Sequence, residues 1–93
     1  MAYRSNWNDL NELKCLLIFK QLENENFPRG MQKRLCEEMA KVTTLEFGSI
    51  NAKIGNIKSL AGVNNSSNVS KNTLRIFNEN KHLSIAQLKK ITN

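Results

Sequence analysis

Phe47-Gly48-Ser49-Ile50-Asn51-Ala52-Lys53-Ile54-Gly55-Asn56-Ile57-Lys58-Ser59-Leu60 carries its apolar residues at 47, 50, 54, 57 and 60 or 61. Steps of three and four are the period of an α-helix with one buried side. The spacing predicts a helix over residues 45–60, stopped by Gly62. Thr43 and Glu46 form a capping box that would start it early, while Gly48-Ser49 would start it late. Gly55 inside this helix costs about 1 kcal/mol relative to Ala, and close approach of a backbone or ligand would account for its presence. The side taken as opposite the stripe presents Ser49, Asn51, Lys53, Asn56 and Lys58, hydrogen-bonding groups with two cations and no carboxylate.

The segments on either side share this period. Trp7–Leu22 has apolar residues at 10, 13, 16 and 17, then 18, 19 and 22, and is apolar all round from Cys15 to Phe19, as a central core helix would be. A polar run, Glu23 to Asn26, separates it from Phe27-Pro28-Arg29-Gly30, whose proline suits the first turn of a new helix. That second helix is expected from Pro28 to Lys41, burying Met31, Leu35 and Met39 with Cys36 and Ala40. On its other face, Lys33 with Glu37 and Arg34 with Glu38 stand one turn apart and neutralise each other, so this helix is not expected to read a polyanion.

Residues 62–69 form an uncharged polar connector or contact loop. A short helix follows Ser70 and ends near Asn80, with Val69 and Leu74 placed as a hydrophobic staple. A last helix follows Ser84, where Ser84 with Gln87 makes a capping box and Leu83 with Leu88 a second staple; Ile85, Leu88 and Ile91 are its expected buried stripe. No run alternates with period two, so no sheet is expected. The fold class is all-α: one domain over residues 1–93, three core helices in a helix-turn-helix-like arrangement plus two short C-terminal helices.

Charge is distributed unevenly along the chain. Residues 1–46 carry seven basic and seven acidic groups, whereas residues 47–93 carry seven basic groups against Glu79 alone, which accounts for the net charge of +6. Such an excess draws polyanions, nucleic acid first among them. The longest apolar run, Cys15 to Phe19, is far short of the roughly 20 residues that span a bilayer. A cytoplasmic protein is expected, with no secretory signal and with Cys15 and Cys36 as unpaired thiols inside apolar helix faces.

Catalysis finds no constellation. His82 is the only histidine, in a hinge without an acid or thiol arranged around it. The cysteines lack metal-ligand spacing, and the glycines at 30, 48, 55 and 62 lack that of a phosphate loop. No cofactor, metal or small-molecule substrate is expected.

Gly48-Ser49-Ile50-Asn51-Ala52-Lys53-Ile54-Gly55-Asn56-Ile57-Lys58-Ser59-Leu60 resembles the G-S-V-x-x-K-L-x-N-F-x-x-L signature of the helical domain that precedes the nuclease in a group of bacterial HNH restriction-type endonucleases. Ser70 to Glu79 is similar to that family's closing helix, L-D-x-x-V-W-x-E-F, without its Trp. The resemblance runs from Trp7 to about Asn80, and the HNH metal-binding part is absent. It implies a nucleic-acid-facing accessory domain without its nuclease, or a small protein that borrowed the domain for another purpose. The third segment also resembles the recognition helix of a helix-turn-helix or Myb-like unit, in which Ser49, Asn51, Lys53 and Asn56 would face bases or phosphates. Lys58, Lys71 and Arg75 would then lie on the backbone of double-stranded DNA. The competing expectation is a small phage-encoded inhibitor or interaction protein that grips an acidic surface of a host enzyme or defence complex.

Overall fold

In the computed structural model, which describes residues 7–63 and 69–93, five helices follow one another without a strand among the described residues. They are α1 (Asp9–Asn24), α2 (Met31–Val42), α3 (Phe47–Leu60), α4 (Lys71–Asn80) and α5 (Ile85–Thr92). The fold is all-α, as the periodicities require. Of the connector expected at 62–69, residues 64–68 lie outside the described residues.

The apolar run Cys15–Phe19 makes α1 the hub, packed against each of the other four helices. Cys15, Leu16, Ile18, Phe19 and Leu22 are all buried. Against them lie Cys36 and Met39 of α2, Ile50, Ile54 and Ile57 of α3, Phe77 of α4 and Leu88 of α5. Trp7 packs on the edge of this core, so it anchors the fold as an amphipathic ring does.

Local chemistry sets where the helices begin and end. Asn8, Ser70 and Ser84 cap α1, α4 and α5 by accepting from the amides of Asn11, Thr73 and Gln87. The capping box expected at Ser84 and Gln87 forms in both directions. The one expected at Thr43 and Glu46 does not: the Thr43 hydroxyl donates to the Met39 carbonyl at 2.9 Å and accepts from the Leu45 amide at 3.2 Å. Thr43 thus closes the α2–α3 turn, and α3 starts at Phe47 without a side-chain cap.

Two helices end in the same Schellman turn, with a left-handed residue just past the end. After α1 the amides of Asn26 and Phe27 donate to the carbonyls of Glu23 and Leu22, and after α3 those of Gly62 and Val63 donate to Ser59 and Lys58. The first turn costs more, because Asn26 (φ 61°) and Phe27 (φ 52°) both carry a Cβ. Phe27 offsets that strain by packing on the core, its ring 6.0 Å from that of Phe19. α2 consequently starts at Met31 and not at Pro28, since Gly30 (φ 84°) cannot lie inside a right-handed helix.

Four expected apolar positions face outward, among them Leu10 (44% exposed) and Phe47 (36%). Ile91 is 48% exposed, and Thr92, one turn beyond Leu88, is buried in its place with its hydroxyl donating to the Leu88 carbonyl. Leu74 is 42% exposed and adds nothing to the core. Nor does another backbone among the described residues approach Gly55, for a Cβ built there meets nothing within 4 Å.

Candidate nucleic-acid interface

The seven residues singled out from the sequence do not form one face. Lys53 turns toward α1 and α4: its ammonium lies 3.3 Å from Glu12 Oε1, donates to Thr73 Oγ1 at 2.9 Å, and sits 4.5 Å from the centroid of the Trp7 ring. The Lys53 and Glu12 side chains are only 12% and 3% exposed. The expected outward Lys53 is therefore corrected to an interior one, which holds three helices together.

Arg75 belongs to the same network on its outer edge. Its guanidinium donates to Asp9 at 2.9 Å, to Glu79 at 3.1 Å and to Asn72 Oδ1 at 2.6 Å. Asn72 in turn donates through Nδ2 to Asp9 at 3.2 Å and to Glu12. Thr73 donates its hydroxyl proton to Glu12, so Ser70 supplies the proton in the 2.8 Å contact between the two hydroxyls. A buried carboxylate is tolerable when charge and hydrogen bonds both meet it, and Glu12 has both in Lys53, Thr73 and Asn72. The Arg75 guanidinium and Asn72 hold the Asp9 carboxyl below its ordinary pKa, and Asp9 raises that of Arg75. Two of the four cations expected at the interface are thus engaged by carboxylates.

Asn51 and Lys58 lie on the other flank of α3, beside α2, and are joined there by a residue that sequence reasoning passed over. Gln32 donates through Nε2 to Asn51 Oδ1 at 2.6 Å, and Lys58 donates to Gln32 Oε1. The Lys58 ammonium also stands 5.3 Å from the centroid of the Phe27 ring. No ion pair among the described residues involves Lys58. Gln32 directly follows Met31 in the apolar stripe of α2, and a flank position next to a packed helix is the signal that would have found it. Ser49 is exposed at the start of α3, Asn56 is half-buried, and Lys71 is exposed in the first turn of α4.

Further exposed cations lie outside α3. Arg29, from the turn before α2, Arg34, from the first turns of α2, and Lys89, from α5, line one groove. The groove exists because α2 and α5 both pack on α1 but not on each other. Arg34 also forms an exposed pair with Glu38 at 3.6 Å, as its spacing predicts.

Cys15 and Cys36 are buried and unpaired, with Cys15 Sγ 3.8 Å from Met39 Sδ. Burial pushes both thiols above their ordinary pKa, the opposite of what activates a nucleophile. His82 is exposed in the α4–α5 turn. Among the described residues no group of three His, Cys, Asp or Glu side chains comes together to hold a metal ion, and no helix is long and apolar enough to cross a membrane.

No protein-family model, curated protein or solved structure matches this chain.

Proposed function

We propose that this chain is a non-catalytic nucleic-acid-binding domain of the cytoplasm that meets double-stranded DNA with the α2-turn-α3 unit. The observation that carries the reading is the chain Lys58–Gln32–Asn51 on one flank of α3, where a cation with no carboxylate partner among the described residues stands beside two linked amides. Paired amide side chains suit an adenine edge, and an ammonium suits a phosphate. Ser49, exposed at the first turn of α3, is two residues from Asn51, points about 160° away from it and lies outside this surface. Lys53 and Arg75 serve the reading as scaffold: they fix α3 and α4 to the first turn of α1.

A fluorescein-labelled 20-base-pair duplex titrated with the full chain between 50 and 200 mM salt tests this. Lys58→Ala should weaken binding and flatten the dependence of log K on log salt by about 0.9. Asn51→Ala and Gln32→Ala should weaken binding at unchanged slope, since neither removes a charge. Binding that ignores salt, or a slope that ignores Lys58, would remove the nucleic acid and leave an acidic protein surface as the partner class.

A further inference from the structure

The groove between α2 and α5 has a composition that a DNA backbone would use only in part. Met31, Leu35 and Ile85 line it as half-buried apolar side chains, while Arg29, Arg34 and Lys89 stand exposed around them. Among the described residues, Glu25 is the one carboxylate in its lining. The volume is about 880 Å³, enough for several side chains by the measure of ligand sites, which run to about 1,000 Å³. A phosphate chain would find cations here but nothing to set against the apolar floor. A wholly apolar ligand would make no use of the three cations, of which only Arg34 is in an ion pair among the described residues, with Glu38.

We propose that this groove docks an acidic peptide segment of a partner protein, one bulky apolar side chain entering among Met31, Leu35 and Ile85 while flanking carboxylates meet Arg29, Arg34 and Lys89. Charge complementarity selects the occupant: three cations face a single carboxylate, and the first turn of α2 behind them contains no acidic residue. The Arg34–Glu38 pair is exposed and one turn apart, so an incoming carboxylate displaces it at little cost. The unbranched Met31 adapts to different apolar side chains, as methionine does at surfaces that accept varied partners. This surface shares no residue with the Lys58–Gln32–Asn51 flank, and it stands whether or not DNA binds there.

The test is selection of random 12-residue peptides displayed on phage against the immobilised full chain, followed by synthesis of the enriched peptides. Enrichment of sequences with several Asp or Glu around a Leu, Phe or Trp is expected. Those peptides should move the methyl resonances of Met31 and Ile85 in the wild-type protein. The double variant Arg29→Glu, Lys89→Glu should bind them at least tenfold more weakly, and Lys33→Glu should not. The methyl map needs no variant, so a folding defect in the double variant cannot obscure the result. No enrichment, enrichment without acidic or without bulky apolar residues, or resonance shifts confined to Asn51 and Gln32 would overturn the proposal. So would displacement of the Met31 and Ile85 signals by duplex DNA, which would make the groove part of the nucleic-acid surface.

Discussion

Lys53 and Glu12 meet at 3.3 Å in the interior, one from the middle of α3 and the other from the first turn of α1. Each is held by further partners, Lys53 by Thr73 and the Trp7 ring, Glu12 by Thr73 and Asn72. An ion pair this well enclosed acts on stability asymmetrically: losing one partner strands the other charge, whereas losing both charges strands nothing.

Lys53→Met is therefore expected to cost about 3–5 kcal/mol, the usual penalty for breaking a buried pair. The double variant Lys53→Met, Glu12→Gln should recover most of it, because no charge is left buried: the carboxamide oxygen can accept from Asn72 while its NH2 donates to the Thr73 hydroxyl that Lys53 no longer occupies. Urea unfolding of the four proteins in the cycle measures this. A loss in the double variant equal to the sum of the two single losses would show that the pair contributes no coupling.

The Asp9–Arg75 contact makes a prediction about pH. Arg75, then Asn72, lowers the Asp9 pKa in the folded state. A depressed carboxylate contributes stability that is fully present above its unfolded value, about 3.9, and is lost as pH falls through the lower folded value. The raised Arg75 contributes below its unfolded value, which lies above the working range. Carbon-detected titration of the Asp9 carboxyl should show a midpoint below that of unfolded Asp, and Arg75→Gln should move it upward. As Asp9 is exposed, the change in overall stability will be small.

Gly55→Ala should stabilise the protein by about 0.5–1 kcal/mol, the propensity difference between the two residues in a helix interior. The added methyl meets nothing within 4 Å among the described residues, so no steric cost opposes it. Thermal unfolding of the variant decides this. Destabilisation would mean that the position is crowded after all.

The helices were legible because each buries one stripe, and stripes repeat. The interface was less so, and the reason is angular. Successive residues turn about 100° around a helix, so Lys53 and Lys58, five apart, point about 140° from each other, and Asn51 is farther still from Lys53. The three isoleucines lie between the two flanks, which sends Lys53 toward α1 and α4 and Asn51 with Lys58 toward α2. That split follows from spacing alone. That Glu12 would be the buried partner does not, because Glu12 and Lys53 are 41 positions apart in the chain and only the packing of α3 on α1 joins them. The groove cations Arg29 and Lys89 are farther apart still, and nothing local marks either one. Ile91 departs from its expected burial for a smaller reason: Leu88 can continue its buried line at i+3 or i+4, and the docking of α5 on α1 selects Thr92.

α5 packs only on α1 among the described helices, with Leu88 fully buried at the contact. Removing that side chain should cost about 2–4 kcal/mol by the large-to-small rule, a large share of what holds an eight-residue helix in place. In Leu88→Ala the amides of α5 are expected to exchange much faster, while those of α1 and α3, covered by Cys15, Leu16, Ile50 and Ile54, should stay protected. The groove loses one wall when α5 detaches, so peptide binding at Met31 should fall in the same variant, while DNA binding at Lys58 should persist. Hydrogen exchange read residue by residue tests the first half. If α1 and α3 exchange as fast as α5, the variant has unfolded globally and α5 is no separable unit.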